Sequence, residues 1–281
     1  MTTHYYEVVI PFSEQSYDSI QNALYAFGVE NILEEKGVFK IYFDVDEIDT
    51  VDKLKESLEK DFSVNNVSIQ KFENRNWNTE WENSIQPVYI NDKIVIHSSW
   101  NKESIENPEE KILIEIDPKM SFGTGHNETT QLVLEMMTEY LDENDNTMLD
   151  YGCGTAVLSI AAARLGVEKI IGIDIDVDAV ENSKEYIKLN NVQNSIKIDN
   201  CNISSVEENE FDVIAANIIR SVITANLNHI HSKLKSGGKL FLSGILSEEQ
   251  ELIKTTLEKY HFEIIDVRIK GEWLGVYAIR K

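Results

Sequence analysis

Cysteine, positive charge and long apolar runs are all scarce in this chain, and each shortage removes a class of protein. Only two cysteines occur, Cys153 and Cys201, with neither metal-ligand spacing nor the number that a disulfide framework needs. A structural metal site and a cross-linked secreted scaffold are therefore not expected. No run approaches the roughly 18 consecutive apolar residues that read as a membrane span. The opening Met1-Thr-Thr-His-Tyr-Tyr-Glu7 lacks a basic region followed by an apolar stretch, so no export leader and a cytoplasmic location are expected. Lysine and arginine number 26 against 49 acidic residues, a formal net charge of −23. Such a surface repels phosphate backbones, so direct nucleic-acid readout is not expected. The acidity itself has two readings: plain solubility, or a field that attracts a basic partner and speeds encounter. Internal repeats and low-complexity segments are absent as well.

What remains is an ordinary soluble composition in 281 residues, long for one domain and comfortable for two. Residues 1–72 read as a small α+β unit. Tyr5–Phe12 is β-branched and aromatic, hence a strand; Ile20, Leu24 and Phe27 make a helical stripe that stops at Gly28. Strands over Val29–Glu34 and Val38–Val45 follow, then a second stripe of Val51, Leu54, Leu58 and Phe62, then a strand over Val64–Phe72. The order βαββαβ is the ferredoxin-like, split-βαβ arrangement, which names no function by itself. Residues 73–100 read as a linker, polar at first, with Trp77 and Trp81 on one face if helical. Those tryptophans are read as docking residues holding a linker helix, with substrate contact as the other reading. Short strands are predicted over Val88–Ile90, Ile94–His97 and Ile112–Ile116.

A second domain is assigned to residues 101–281. From Asp145 onward strands and helices alternate, which predicts an α/β, Rossmann-like domain with a parallel sheet and helices on both faces. One helix is expected over Val222–Leu234 and another over Glu248–Tyr260. Ligands of such folds bind beyond the carboxyl ends of the strands, where strand order reverses.

The chemistry-bearing segment is Met148-Leu-Asp-Tyr-Gly-Cys-Gly-Thr-Ala-Val-Leu158, a glycine turn between a strand and a helix. Gly152 and Gly154 let backbone approach a ligand, and the helix start offers unpaired N–H groups. The dinucleotide fingerprint fails, because Val157 stands where its third glycine belongs. Asp174 ends the apolar run Ile170–Ile173 about 20 positions on, where a carboxylate suits a ribose diol. Asp176 and Asp178 are read as helix N-caps.

An Asp-x-Gly-x-Gly turn followed by Gly172-Ile-Asp174 resembles the class I S-adenosylmethionine-dependent methyltransferases. Ala156 departs from the third glycine of many members and is tolerable if its φ stays negative. More closely, Asp117-Pro-Lys-Met-Ser-Phe-Gly-Thr-Gly-His-Asn-Glu-Thr-Thr130, Ala216-Asn-Ile218 and Ser243-Gly-Ile-Leu246 are similar to segments of the ribosomal protein L11 methyltransferase (PrmA) family. Trp77, Trp81, Pro87 and Glu272-Trp273 fit the same family.

That resemblance implies methyl transfer from S-adenosylmethionine to lysine and N-terminal amines of large-subunit ribosomal protein L11. It also implies a substrate-recognition role for residues 1–72 and a monomer. Cofactor contacts then fall on Thr130, Gly152, Gly154, Asp174 and Asn217, with Asn217 orienting the acceptor amine or the methionine part of the cofactor. Asn127 is expected to cap a helix beginning near Glu128, with the Thr130 hydroxyl facing the cofactor. His126 is a candidate base, although a loop histidine is more often only solvated. Asn200 is a weaker candidate for the adenine edge. No metal is expected.

The alternatives are a methyltransferase acting on another protein or on a small-molecule amine, and a binding module that senses the cofactor without catalysis. Asn217-Ile-Ile-Arg220 lacks the prolines and aromatic of the nucleic-acid N-methyltransferase signature.

Overall fold

The computed structural model describes residues 4–29, 31–62, 64, 66–73, 85–117 and 125–281. The chain divides into two compact units, Met1–Ser84 and Ile85–Lys281.

In the first unit β1 (His4–Pro11), α1 (Tyr17–Ala26), β2 (Leu33–Glu35), β3 (Val38–Asp44), α2 (Ile48–Asp61) and β4 (Ser68–Glu73) follow one another. The sheet order is β2-β3-β1-β4 with antiparallel neighbours, the arrangement the sequence predicts. Period-two alternation turns Val8, Ile10, Phe39, Ile41 and Phe43 to one face, where the stripes of α1 (Ile20, Leu24) and α2 (Val51, Leu54, Leu58) bury them. The strand expected from Val29 starts only at Leu33. Val29 belongs instead to the close of α1. Its N–H reaches back to the Leu24 carbonyl, Gly28 is left-handed at φ +78°, and the Val29 side chain is buried.

The linker expected over 73–100 ends earlier, because residues 85–100 belong to the second unit. There β5 (Val88–Ile90), β6 (Ile94–His97) and β7 (Ile112–Glu115) form a three-stranded sheet. Ile90, Ile94, Ile96 and Ile114 join the same core as Met136 and Met137. Trp77 and Trp81 lie outside the described residues.

The rest of the second unit is a doubly wound sheet. Its strands are β8 (Thr147–Tyr151), β9 (Lys169–Asp174), β10 (Ile196–Asn200), β11 (Phe211–Asn217), β12 (Leu234–Leu246), β13 (Phe262–Lys270) and β14 (Trp273–Arg280). The helices are α3 (Glu128–Tyr140), α4 (Val157–Arg164), α5 (Val177–Leu189), α6 (Arg220–Ala225), α7 (Leu227–Lys233) and α8 (Gln250–Lys259). Strand order is β10-β9-β8-β11-β12-β14-β13, parallel except for β14, which runs antiparallel to both neighbours. Alternate residues feed two cores: Met148, Val213 and Ala215 face α3, α4 and α5, while Leu149, Ile214 and Ala216 face the α6–α8 side. The helix expected over Val222–Leu234 breaks at Asn226, whose side-chain amide bonds the Val222 carbonyl and competes with helix continuation.

Because β9 and β10 lie to one side of β8 and β11 to the other, strand order reverses between β8 and β11. That crevice is the ligand position of such sheets.

The first unit carries its own core, so a cavity there should leave the second unit's unfolding untouched. Leu54→Ala is expected to cost about 3 kcal/mol and to lower one of two transitions in scanning calorimetry. A shift of both transitions together would show the units unfolding as one.

Candidate active site

The turn leaving β8 is built from left-handed backbone. Gly152 has φ +78°, Gly154 +54° and Ala156 +64°. The condition under which alanine is tolerated there without strain, a negative φ, is therefore not met. A left-handed alanine costs roughly 1–2 kcal/mol, and its place is held because Ala156 is fully buried and caps α4. The turn is stitched to β9: the N–H groups of Gly152 and Cys153 both donate to the Ile173 carbonyl, at 2.9 and 3.0 Å. Burial pushes the Cys153 thiol up, so it is a neutral packing group.

Asp174 closes β9 with its carboxylate bent over this turn. Oδ2 accepts from the Gly154 N–H at 3.0 Å and Oδ1 from the Asp176 N–H at 3.0 Å. A carboxylate has about four acceptor positions, so both oxygens retain one for a diol. Asp176 is the N-cap of α5, accepting from the Asp178 N–H at 2.9 Å; Asp178 itself is in the first turn, not a cap. Asn200 donates to the Asp174 main-chain carbonyl at 2.9 Å, which makes it a brace for β9.

On the other side of the crevice, α3 begins at Glu128 after Asn127. The cap acts through the Asn127 carbonyl, which takes the N–H groups of Thr130 and Gln131, while its side chain makes no cap bond. Thr130 is fully buried, and its Oγ1 accepts from Asn217 Nδ2 at 3.1 Å. The structure thus brings Thr130 and Asn217 together across 87 residues of sequence. Asn217 Oδ1 is buried without a protein donor, as is Thr129 Oγ1.

Sequence reasoning missed two features. Asp150, quoted only as the start of the glycine turn, is fully buried in β8 and pairs in register with Ala215, two residues before Asn217. Its Oδ2 accepts from Ser159 N (3.1 Å) and Ser159 Oγ (2.7 Å), and its Oδ1 has no donor. Burial pushes its carboxyl up to about 6, against the pull of the two Ser159 bonds. An acidic residue inside the apolar run Met148–Tyr151 was the available signal. The second feature is Ile175, a large apolar side chain 74% exposed directly after Asp174.

His126 is exposed, and its Nε2 lies 3.1 Å from the Gln86 carbonyl. A carbonyl only accepts, so Nε2 carries the hydrogen and the acceptor of the neutral ring is Nδ1. Of the preceding loop, Phe122 and Gly123 lie outside the described residues. Gly125, at φ +83°, ends it against Ile96, where a Cβ would strike the side chain at 2.5 Å. Among the described residues no group of three or more His, Cys, Asp or Glu is arranged to hold a metal, and no helix is long and apolar enough to cross a membrane.

Comparison with known proteins decides the family. The profile described as Ribosomal protein L11 methyltransferase (PrmA) matches residues 4–281. The chain belongs to this family. A ribosomal protein L11 methyltransferase of Clostridium botulinum is 35% identical over 259 residues, covering 88% of this chain and 82% of the relative. One of Bacillus pumilus is 32% identical over 269 residues, covering 93% and 86%. The crystal structure of a ribosomal protein L11 methylase from Lactobacillus delbrueckii subsp. bulgaricus shares the fold, with a TM-score of 0.65 at 24% identity over 70% of this chain and 100% of that one. The chain is accordingly an S-adenosylmethionine-dependent protein methyltransferase.

The crevice suits that cofactor. The free acceptor positions of the Asp174 carboxylate would suit a ribose diol, and the unpaired Asp150 Oδ1 would suit an ammonium. Asp174→Ala removes a charged acceptor for two hydroxyls and is expected to weaken S-adenosylmethionine binding about 100-fold in titration calorimetry; an unchanged affinity removes Asp174 from the site.

Folded, Asp150 holds its proton to about pH 6; unfolded, it releases it near pH 3.9. The stability it contributes is full below that lower value and lost as pH rises through about 6. Between about pH 5 and 7 the loss is about 1 kcal/mol, and Asp150→Asn, which keeps an acceptor for Ser159, should abolish it. Urea unfolding of both proteins at the two pH values checks this; parallel behaviour would show that Asp150 ionises normally.

Proposed function

We propose that this chain transfers methyl groups from S-adenosylmethionine to lysine ε-amines and the N-terminal amine of ribosomal protein L11, in the cytoplasm and as a monomer. One observation carries the reading: Asn217, tied through Nδ2 to Thr130, keeps Oδ1 buried and unpaired at the switch point of the sheet. The relatives named as L11 methyltransferases support the choice of protein, and a net charge of −23 suits a basic ribosomal protein. The separate unit at 1–84 supplies a surface for recognising that protein.

When bound, S-adenosylmethionine supplies an activated methyl on a sulfonium. The chain's share is to hold a neutral amine in line with it. Thr130, Gly152, Gly154 and Asp174 hold the cofactor, and Asn217 Oδ1 accepts one N–H of the amine so that the nitrogen lone pair faces the methyl. A lysine in water is almost wholly charged at pH 7, with a pKa of about 10.4; a partly desolvated site beside a cation favours its neutral form. Asp150 and Asp174 serve the cofactor in this reading, and the proton departs through water.

Radiolabelled methyl transfer to ribosomal proteins from cells lacking this gene tests the reading. Label on L11 is expected; label on RNA alone would overturn it. Asn217→Ala is expected to lower kcat about 100-fold while cofactor affinity moves less than about five-fold, measured by single-turnover transfer and calorimetry.

A further inference from the structure

Asn217 is the last residue of β11, paired with Ser243 of β12, and the next residue leaves the sheet. That residue, Ile218, is gripped from two sides. An ideal Cβ on Gly152 would fall under 3.0 Å from Ile218 Cγ2, closer than real side chains approach. One on Gly244 would stand 2.7 Å from the Ile218 carbonyl carbon and 3.1 Å from its nitrogen, and closer still to its oxygen. Gly244 sits at φ +79°, at the register break between Leu242 and Ile245 where β12 pairs β14. The Ile218 side chain also packs on the α6–α8 core. Beyond it the segment is anchored by Arg220, whose Nε donates to Glu249 Oε1 at 2.5 Å, while Glu249 Oε2 accepts from the Leu246 N–H.

We propose that Ile218 is a positioning residue: clamped between the cofactor turn at Gly152 and the main chain at Gly244, it fixes where Asn217 stands relative to that turn. The proposal rests on the reading of Asn217 as the group that orients the acceptor. It gives Gly152 and Gly244 a shared steric reason, room for Ile218, in addition to their left-handed backbone. Nothing in the sequence spacing links residues 152, 218 and 244. The two contacts differ in kind: Gly152 meets a side chain that can be trimmed, whereas Gly244 meets backbone that cannot. That asymmetry makes the clamp testable by rescue.

The experiment measures cofactor affinity by calorimetry, kcat on ribosomal protein L11, and thermal midpoint for each variant of the full chain. Ile218→Ala should lower kcat about 10-fold, because a group displaced by a fraction of an ångström loses alignment, while cofactor affinity stays within about three-fold. Ile218→Val keeps both γ-carbons and should retain wild-type kcat within about two-fold. Gly152→Ala should weaken cofactor binding at least about 30-fold; adding Ile218→Ala should recover about 10-fold of it, since the methyl then has room and only the left-handed strain remains. Gly244→Ala should not be rescued by Ile218→Ala. A double variant no better than Gly152→Ala, or an Ile218→Ala enzyme with wild-type kcat, overturns the proposal. If Gly152→Ala does not fold, the contrast between Ile218→Ala and Ile218→Val in kcat still decides it. Calorimetry needs no acceptor, so a failed clamp is separable from a failed assignment of L11 as substrate.

Discussion

Three main-chain donors from the turn after β8 end on two residues of β9: Gly152 and Cys153 on the Ile173 carbonyl, Gly154 on the Asp174 carboxylate. This knot is the constraint on which the site depends. It holds the turn open in a left-handed path that even Ala156 must follow. It also aims the Asp174 carboxylate across the mouth of the crevice, with lone pairs still free. Without it the strand ends at the switch point would be two loose loops, and neither the Asp174 carboxylate nor the helix start would have a fixed position.

The opposite wall is organised by a different economy. Asp150, Thr129 and Asn217 each bury an oxygen with no protein donor, which is costly in a folded chain. Orphaned acceptors at the carboxyl ends of β8 and β11 suit ligands that bring N–H groups to donate. Binding then removes a standing penalty, and in that way polar burial becomes affinity. The raised Asp150 carboxyl belongs to the same logic, since burial disfavours its ionised form and a positive partner would favour it.

The ferredoxin-like unit and the α/β unit were legible because their periodicities are clean: Val51, Leu54 and Leu58 at helical spacing, Val8 and Ile10 at strand spacing. Where reading failed, local chemistry was overruled by contacts distant in sequence. Val29 looks like a strand residue but closes α1. Asn226 looks like a helix residue but breaks one. Ile90 and Ile94 read as short strands within a linker, yet they pack with Met136 and Met137 in the core of the second unit. The Thr130–Asn217 pair was expected as two cofactor contacts, and that they hold each other emerged only from the fold.

By itself the sequence determined the fold class, the glycine turn and the acidic strand end, because these follow from residue periodicity, backbone permissiveness and short spacing. Only the tertiary structure decided that Asp150 carries an unpaired buried oxygen, that Ala156 is left-handed, and that Ile218 is clamped between Gly152 and Gly244. Those properties depend on which strands become neighbours, and burial and steric approach exist only once residues far apart in the chain have been packed together.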